Sequence, residues 1–159
     1  MWGTLTPELK ENIKTILFSL LETESETSIR HKICDAIGEI ASGLIESEEN
    51  KKNEWPEIVP LIMNLIINEN LILVESGLKI LSSLFQYSVN TFLPYKEELL
   101  KIFKSGIENG NKLLQIATIE ALTNFVSNVA VVHIKIFEVL VPTFINATIY
   151  LLMNDEALV

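Results

Sequence analysis

The stretch Leu71–Ser88, LILVESGLKILSSLFQYS, decides the fold. Leu78, Leu81 and Phe85 follow one another at three- and four-residue spacing, and Ile80 and Leu84 at four. That is the spacing of a buried helical face, not of a strand. The same register occurs twice more. Ile37-x-x-Ile40 precedes Leu81-x-x-Leu84, and Leu122-x-x-Phe125 follows it, at two nearly equal steps along the chain. Ile29, Leu73 and Leu114 keep these steps, as do Ala36, Ile80 and Ala121.

Working outward, a second set of helices lies between these three. Thr6-Pro7-Glu8 supplies an N-cap, a first-turn proline and an acid suited to the helix dipole, which opens a helix to about Leu21. The polar run 46–54 is a loop, and Trp55-Pro56-Glu57 opens a helix to about Ile67. Further helices are expected from Pro94 to Asn109 and from about His133 to Asn154. A helix pair repeating at about 40–47 residues has the period of HEAT and armadillo repeats. Stacking is needed because one pair cannot bury its own apolar faces. The expected fold is therefore all-α: a HEAT-repeat superhelix of about three and a half helix pairs forming one solenoid over residues 1–159. Its repeats fall at about 6–50, 54–90, 93–130 and, incomplete, 133–159. Neither terminal repeat has a polar capping face, so the sequence reads as a slice of a longer protein.

The composition agrees. Apolar residues at 48% against charged ones at 21% describe a globular chain. Six glycines and five prolines are too few for the turns of a β-sandwich. A net charge of −9 opposes direct contact with nucleic acid, whose binding draws on clustered Lys and Arg. Cys34 is the single cysteine and cannot form an internal disulfide. The start at Met1-Trp2-Gly3-Thr4 carries no secretory pattern. Val139–Met153 is apolar but short, and it contains Pro142 and Asn146. A spanning helix needs about 20 apolar residues, so a buried helix is expected there, without membrane insertion and with its Asn146-Ala147-Thr148 sequon unglycosylated.

No catalytic or cofactor-binding constellation emerges. His31 and His133 stand alone without metal-ligand spacing and read as a surface residue and a helix-start residue. Cys34 aligns with Leu78 and Ile119 and reads as a small core residue. Gly106 and Gly110 flank a helix end and form no phosphate loop, and Glu22, Glu24 and Glu26 read as solvated turn residues. Phe18, Phe85, Phe103, Phe125 and Phe137 fall on apolar stripes, and Trp55 is placed to seal a junction between repeats. What remains is a polar strip on the helices that line the concave wall of stacked pairs. Asp35, Lys79 and Glu120 form one row, Glu39, Ser83 and Asn124 the next, and Ser42, Gln86 and Ser127 the third. This strip is the candidate partner-binding surface; its bland alternative is a solvated face.

Three segments resemble one family. Glu54-Trp55-Pro56-Glu57-Ile58-Val59-Pro60-Leu61-Ile62 is similar to the W-P-E-L-x-P-x-L opening of outer helices in importin-beta (karyopherin-beta) receptors. Phe92-Leu93-Pro94-Tyr95 through Leu100 resembles their F-x-P-Y-x-x-x-L-L opening. Ser28-Ile29-Arg30-His31-Lys32-Ile33-Cys34-Asp35-Ala36 resembles S-x-R-x-K-I-C-D-A of the karyopherin beta-3, or importin-five, branch. The resemblance covers roughly residues 25–100 and implies a non-enzymatic nuclear transport receptor shuttling between cytoplasm and nucleus. Implied partners are protein cargo with basic signals, Ran-GTP and nucleoporins. The family's inner-helix arginine is present as Arg30 but is replaced by Val74 and Gln115, which predicts an incomplete polar ladder between helices. The rival reading is a HEAT scaffold of the phosphatase or vesicle-coat type.

Overall fold

A computed structural model describes residues 4–45 and 54–154. Residues 46–53, which fall in the expected polar loop, the first three residues and residues 155–159 lie outside the described residues. The helices are α1 (Pro7–Thr23), α2 (Thr27–Ser42), α3 (Ile58–Ile66), α4 (Leu71–Ser88), α5 (Lys96–Glu108), α6 (Lys112–Asn128), α7 (Val131–Ile134) and α8 (Val141–Met153). There is no strand among the described residues. The fold is the all-α HEAT-type solenoid that the period predicts. Inner helices α2, α4 and α6 pack side by side in one layer. Each packs against its preceding outer helix, α1, α3 or α5, and α8 rests on α5 and α6.

The three turns within the helix pairs share one device. Glu24, Asn68 and Asn109 accept the backbone N–H two residues on, at 2.7, 2.9 and 2.9 Å. The residues so fixed, Glu26, Asn70 and Asn111, then cap α2, α4 and α6 with their side chains. These positions recur at the same two steps as the apolar register. Glu24 and Glu26 are therefore cap and turn acceptors of the Asx-turn kind and not merely solvated.

Two outer helices begin later than the sequence suggests. Trp55 to Glu57 form a turn, with Ile58 N–H donating to Trp55 O at 3.2 Å, so α3 starts at Ile58. The residues Val89–Tyr95, including Pro94, form a 3₁₀ segment ahead of α5. The expected helix from His133 to Asn154 is also broken: Lys135–Leu140 is 3₁₀, and Pro142 sits in the first turn of α8. Proline lacks an N–H and clashes with the preceding turn, so it is accommodated where a helix begins. The 3₁₀ segments tuck Phe92 and Phe137 into the core.

Phe85 and Phe125 run through that core as a column. Phe85 meets Phe92 at 5.3 Å and Phe125 at 5.0 Å between centroids, and Phe125 meets Phe137 at 4.9 Å. Phe103 of α5 touches Phe85, Phe125 and Phe137. At the other end Trp55 is fully buried, edge-on to the half-buried Phe18 at 6.1 Å and beneath the Lys14 ammonium at 5.2 Å. It closes the junction of α1 with the start of α3.

Backbone proximity matters most at Gly106. A Cβ there would overlap the side chain of Thr118, whose hydroxyl donates to Leu114 O at 2.7 Å. Gly106→Ala is thus expected to destabilise by about 1–3 kcal/mol through overpacking, less a gain of about 0.5–1 kcal/mol from helix propensity. Gly110→Ala, with open space around the new methyl, is the control. Urea denaturation of both variants measures the difference, and equal midpoints would show that α5 and α6 readily separate.

Candidate protein-binding surface

The layer of α2, α4 and α6 presents the polar strip. Asp35, Lys79, Ser83, Gln86, Glu120 and Asn124 line one depression of about 430 Å³ with Ser82, Ile119 and Thr123. Lys79 Nζ lies 4.0 Å from Asp35 Oδ1, bridging α4 to α2. Asn124 Nδ2 donates to Ser82 Oγ at 2.8 Å, bridging α6 to α4. The remaining strip residues stand apart from this depression. Ser42 donates to Glu39 O at 2.9 Å within α2, and Glu39 is exposed. Ser127 lines a different cavity, toward α8. The depression holds two carboxylates, one ammonium, amides and hydroxyls: a surface for hydrogen bonding and a modest pull on cations.

Beneath its α2–α4 side lies a cluster that sequence reading missed. Arg30 and Glu75 are both buried, with Nη2 and Oε2 3.4 Å apart. His31 Nε2 is 2.6 Å from Glu75 Oε1, so His31 is a half-buried partner of Glu75 and not a free surface residue. The repeat register aligns Val74 with Arg30, so the arginine is not repeated on α4, but the adjacent Glu75 pairs with Arg30 across the two helices. The ladder is consequently intact between α2 and α4. Between α4 and α6 it is replaced, because Gln115 Nε2 turns to Ile107 O of α5 at 3.0 Å. Ile29, aligned with the buried Leu114, is 50% exposed, so that register position does not fix burial.

Cys34 sits below the same surface. Burial pushes its thiol up to about 12, against a hydrogen bond with Ser76 that pulls it down. The folded chain thus favours the neutral thiol, and this contribution to stability, constant below about pH 9, is lost as the pH rises toward 12. A thiol of this kind is inert at neutral pH. Among the described residues no group of three or more His, Cys, Asp or Glu is placed to hold a metal ion.

With the geometry in place, comparison with known proteins gives the family. A family model described as IPO5-like, TPR repeats matches residues 25–158. The chain belongs to this importin-five-like repeat family. Its repeat step, about 40–47 residues, exceeds the TPR period of about 34 and fits HEAT repeats. Importin-4 of Homo sapiens is 24% identical over 157 residues, covering 98% of this chain and 14% of that protein. Importin subunit beta-3 of Saccharomyces cerevisiae is 26% identical, covering 92% and 13%. A probable importin-5 homolog of Dictyostelium discoideum is 23% identical, covering 89% and 13%. A crystal structure of a Kap121p mutant superposes with a TM-score of 0.70 at 22% identity, over 96% of this chain and 14% of that one, and establishes likeness of fold. The importin-five-like chain thus spans about one-seventh of the length of these relatives.

The importin-five-like apolar tail differs from its expectation. Val131–Met153 is long and apolar enough to cross a membrane by length and composition, and only 11% of its most apolar 18-residue window is buried. Val131, Val132, Tyr150, Leu152 and Met153 are each more than 60% exposed. The buried helix expected at Val139–Met153 is instead covered on one side alone, where Phe137, Leu140 and Ala147 meet the core.

Proposed function

We propose that this chain is part of a nuclear transport receptor that binds protein cargo with basic signals and Ran-GTP, and shuttles between cytoplasm and nucleus. The observation that carries the reading is the polar depression across α2, α4 and α6, set in a chain of the importin-five-like family. Asp35, Glu39 and Glu120 are exposed carboxylates on this layer, and the chain's net charge of −9 draws a basic partner toward it. Lys79 and Asn124, held by Asp35 and Ser82, supply fixed donors that orient a backbone or side-chain carbonyl. Nucleoporins are further partners of the same reading, which involves no cofactor and no catalysis.

The test reverses Asp35, Glu39 and Glu120 to Lys in the full-length receptor. Exposed ion pairs contribute about 0–1 kcal/mol each, so each single reversal weakens binding modestly. The triple variant is expected to lose affinity for Ran-GTP or basic cargo mainly through slower association, and the loss shrinks with added salt. Surface plasmon resonance at low and moderate salt measures it. Unchanged affinity for both ligands, in a variant that melts like the parent, would reduce the strip to a solvated face.

A further inference from the structure

The turn between α5 and α6 carries the one Asn-Gly pair of the chain, Asn109-Gly110. Both residues lie outside the helices, with Gly110 exposed and Asn109 half-buried. Asn109 has an extended backbone, φ −70° and ψ 143°, and its side chain folds forward so that Oδ1 accepts the Asn111 N–H at 2.9 Å. The ring closed by that hydrogen bond contains both the amide carbon Cγ of Asn109 and the backbone nitrogen of Gly110. Attack of this nitrogen on this carbon is the reaction by which asparagine loses its amide.

The three turns within helix pairs form an internal series. Each has the same acceptor arrangement, but the residue supplying the next nitrogen differs: Ser25 after Glu24, Glu69 after Asn68 and Gly110 after Asn109. Glu24 has no amide to lose. At Asn68 the Glu69 side chain crowds the approach, and its carboxylate opposes the negative charge that develops. Gly110 has no side chain, and even a Cβ placed on it would meet nothing within 4 Å, so the backbone swing that attack requires is unobstructed. The oxygen that gains charge during attack is Oδ1, and the Asn111 N–H is already aimed at it. Asn68 is exposed and Asn109 only half so, and access to water alone would rank the two the other way.

We propose that Asn109 is a spontaneous deamidation site that places an ageing mark on the α5–α6 pair. The Gly110 nitrogen bonds to Cγ of Asn109 and gives its proton to hydroxide. The Cγ–Nδ2 bond breaks, and the departing nitrogen takes a proton from water and leaves as ammonia. Water then opens the succinimide. Opening at Cγ leaves aspartate; opening at the main-chain carbonyl leaves isoaspartate, whose backbone runs through the side chain and is longer by a methylene.

The longer link enters a turn that is held on both sides. Asn111 caps α6 by accepting the Leu114 N–H at 3.1 Å, Gln115 Nε2 donates to Ile107 O at 3.0 Å, and Gly106 lies against Thr118. Isoaspartate therefore pushes α6 off α5, and α6 carries Glu120 and Asn124 of the polar strip.

The purified chain is held at neutral pH and physiological temperature. Peptide mapping by mass spectrometry follows each asparagine, and methyl transfer by an isoaspartyl methyltransferase counts isoaspartate. The expected result is conversion at Asn109 faster than at Asn68 by about tenfold or more, with isoaspartate among the products. Folding should slow it by less than about tenfold relative to the urea-unfolded chain, because an exposed turn opens at little cost. Gly110→Ala, which the open space accommodates, should slow it by about tenfold. A rate at Asn109 no faster than at Asn68, stronger protection by folding, aspartate without isoaspartate, or an unchanged rate in Gly110→Ala would each overturn the proposal. The isoaspartate form, once separated by chromatography, should unfold at lower urea than Asn109→Asp, which keeps the acceptor and the backbone length. Equal midpoints would overturn the link to α6.

Discussion

Glu75→Ala is expected to cost about 3–5 kcal/mol of folding stability, the penalty for leaving a buried charge without its partner. Arg30 is 2% exposed, and its Nε already has no hydrogen-bond partner. Removing Glu75 would strip the guanidinium of its counter-charge between α2 and α4. His31 would lose its 2.6 Å contact as well, but a third of its side chain is exposed and water can replace the carboxylate. The pair is not stabilising merely because it exists, since desolvating two charges offsets most of their attraction. Hence Arg30→Met combined with Glu75→Leu should recover most of the loss. Urea denaturation followed by circular dichroism compares the single and double variants. A Glu75→Ala chain as stable as the parent would mean that Arg30 swings out to solvent at little cost.

Phe125→Ala should be nearly as damaging, at about 3–5 kcal/mol. The ring is fully buried and touches Phe85, Phe137 and Phe103 at 5.0, 4.9 and 6.3 Å between centroids. It is the point where α4, α5, α6 and the 3₁₀ segment before α8 converge, so its loss opens a void that no one helix can close by shifting. Phe125→Leu, which keeps most of the volume, should lose much less. Phe18→Ala at the half-buried α1 edge should also cost less, because solvent already reaches that ring and less of its surface is buried. Thermal denaturation of the three variants gives the order. If Phe18→Ala were the worst of them, the aromatic column would not be the centre of stability.

The fold was legible in the sequence because it repeats. Helical spacing that returns at Ile37, Leu81 and Leu122 identifies inner helices and, through them, a stack, since an amphipathic pair must find a neighbour to bury its face. Six of the strip residues could be assigned to one surface for the same reason: a residue's place on a helix and the helix's place in the stack are both periodic. That periodicity also held the Glu24/Glu26, Asn68/Asn70 and Asn109/Asn111 turn device, unnoticed because acid and amide differ as letters though both accept an N–H.

Tertiary structure alone decided what depends on reach and on coverage. Arg30 pairs with Glu75 across α2 and α4, a contact that no spacing along the chain marks. Glu39, Ser42 and Ser127 fell outside the depression, whose extent depends on how neighbouring helices pack and not on register alone. Ile29 shares a register with Leu114 yet is half exposed, and the apolar Val131–Met153 is mostly uncovered. Sequence specifies which face of a helix is apolar. Whether that face is buried depends on what packs against it, a property of the neighbours and not of the helix.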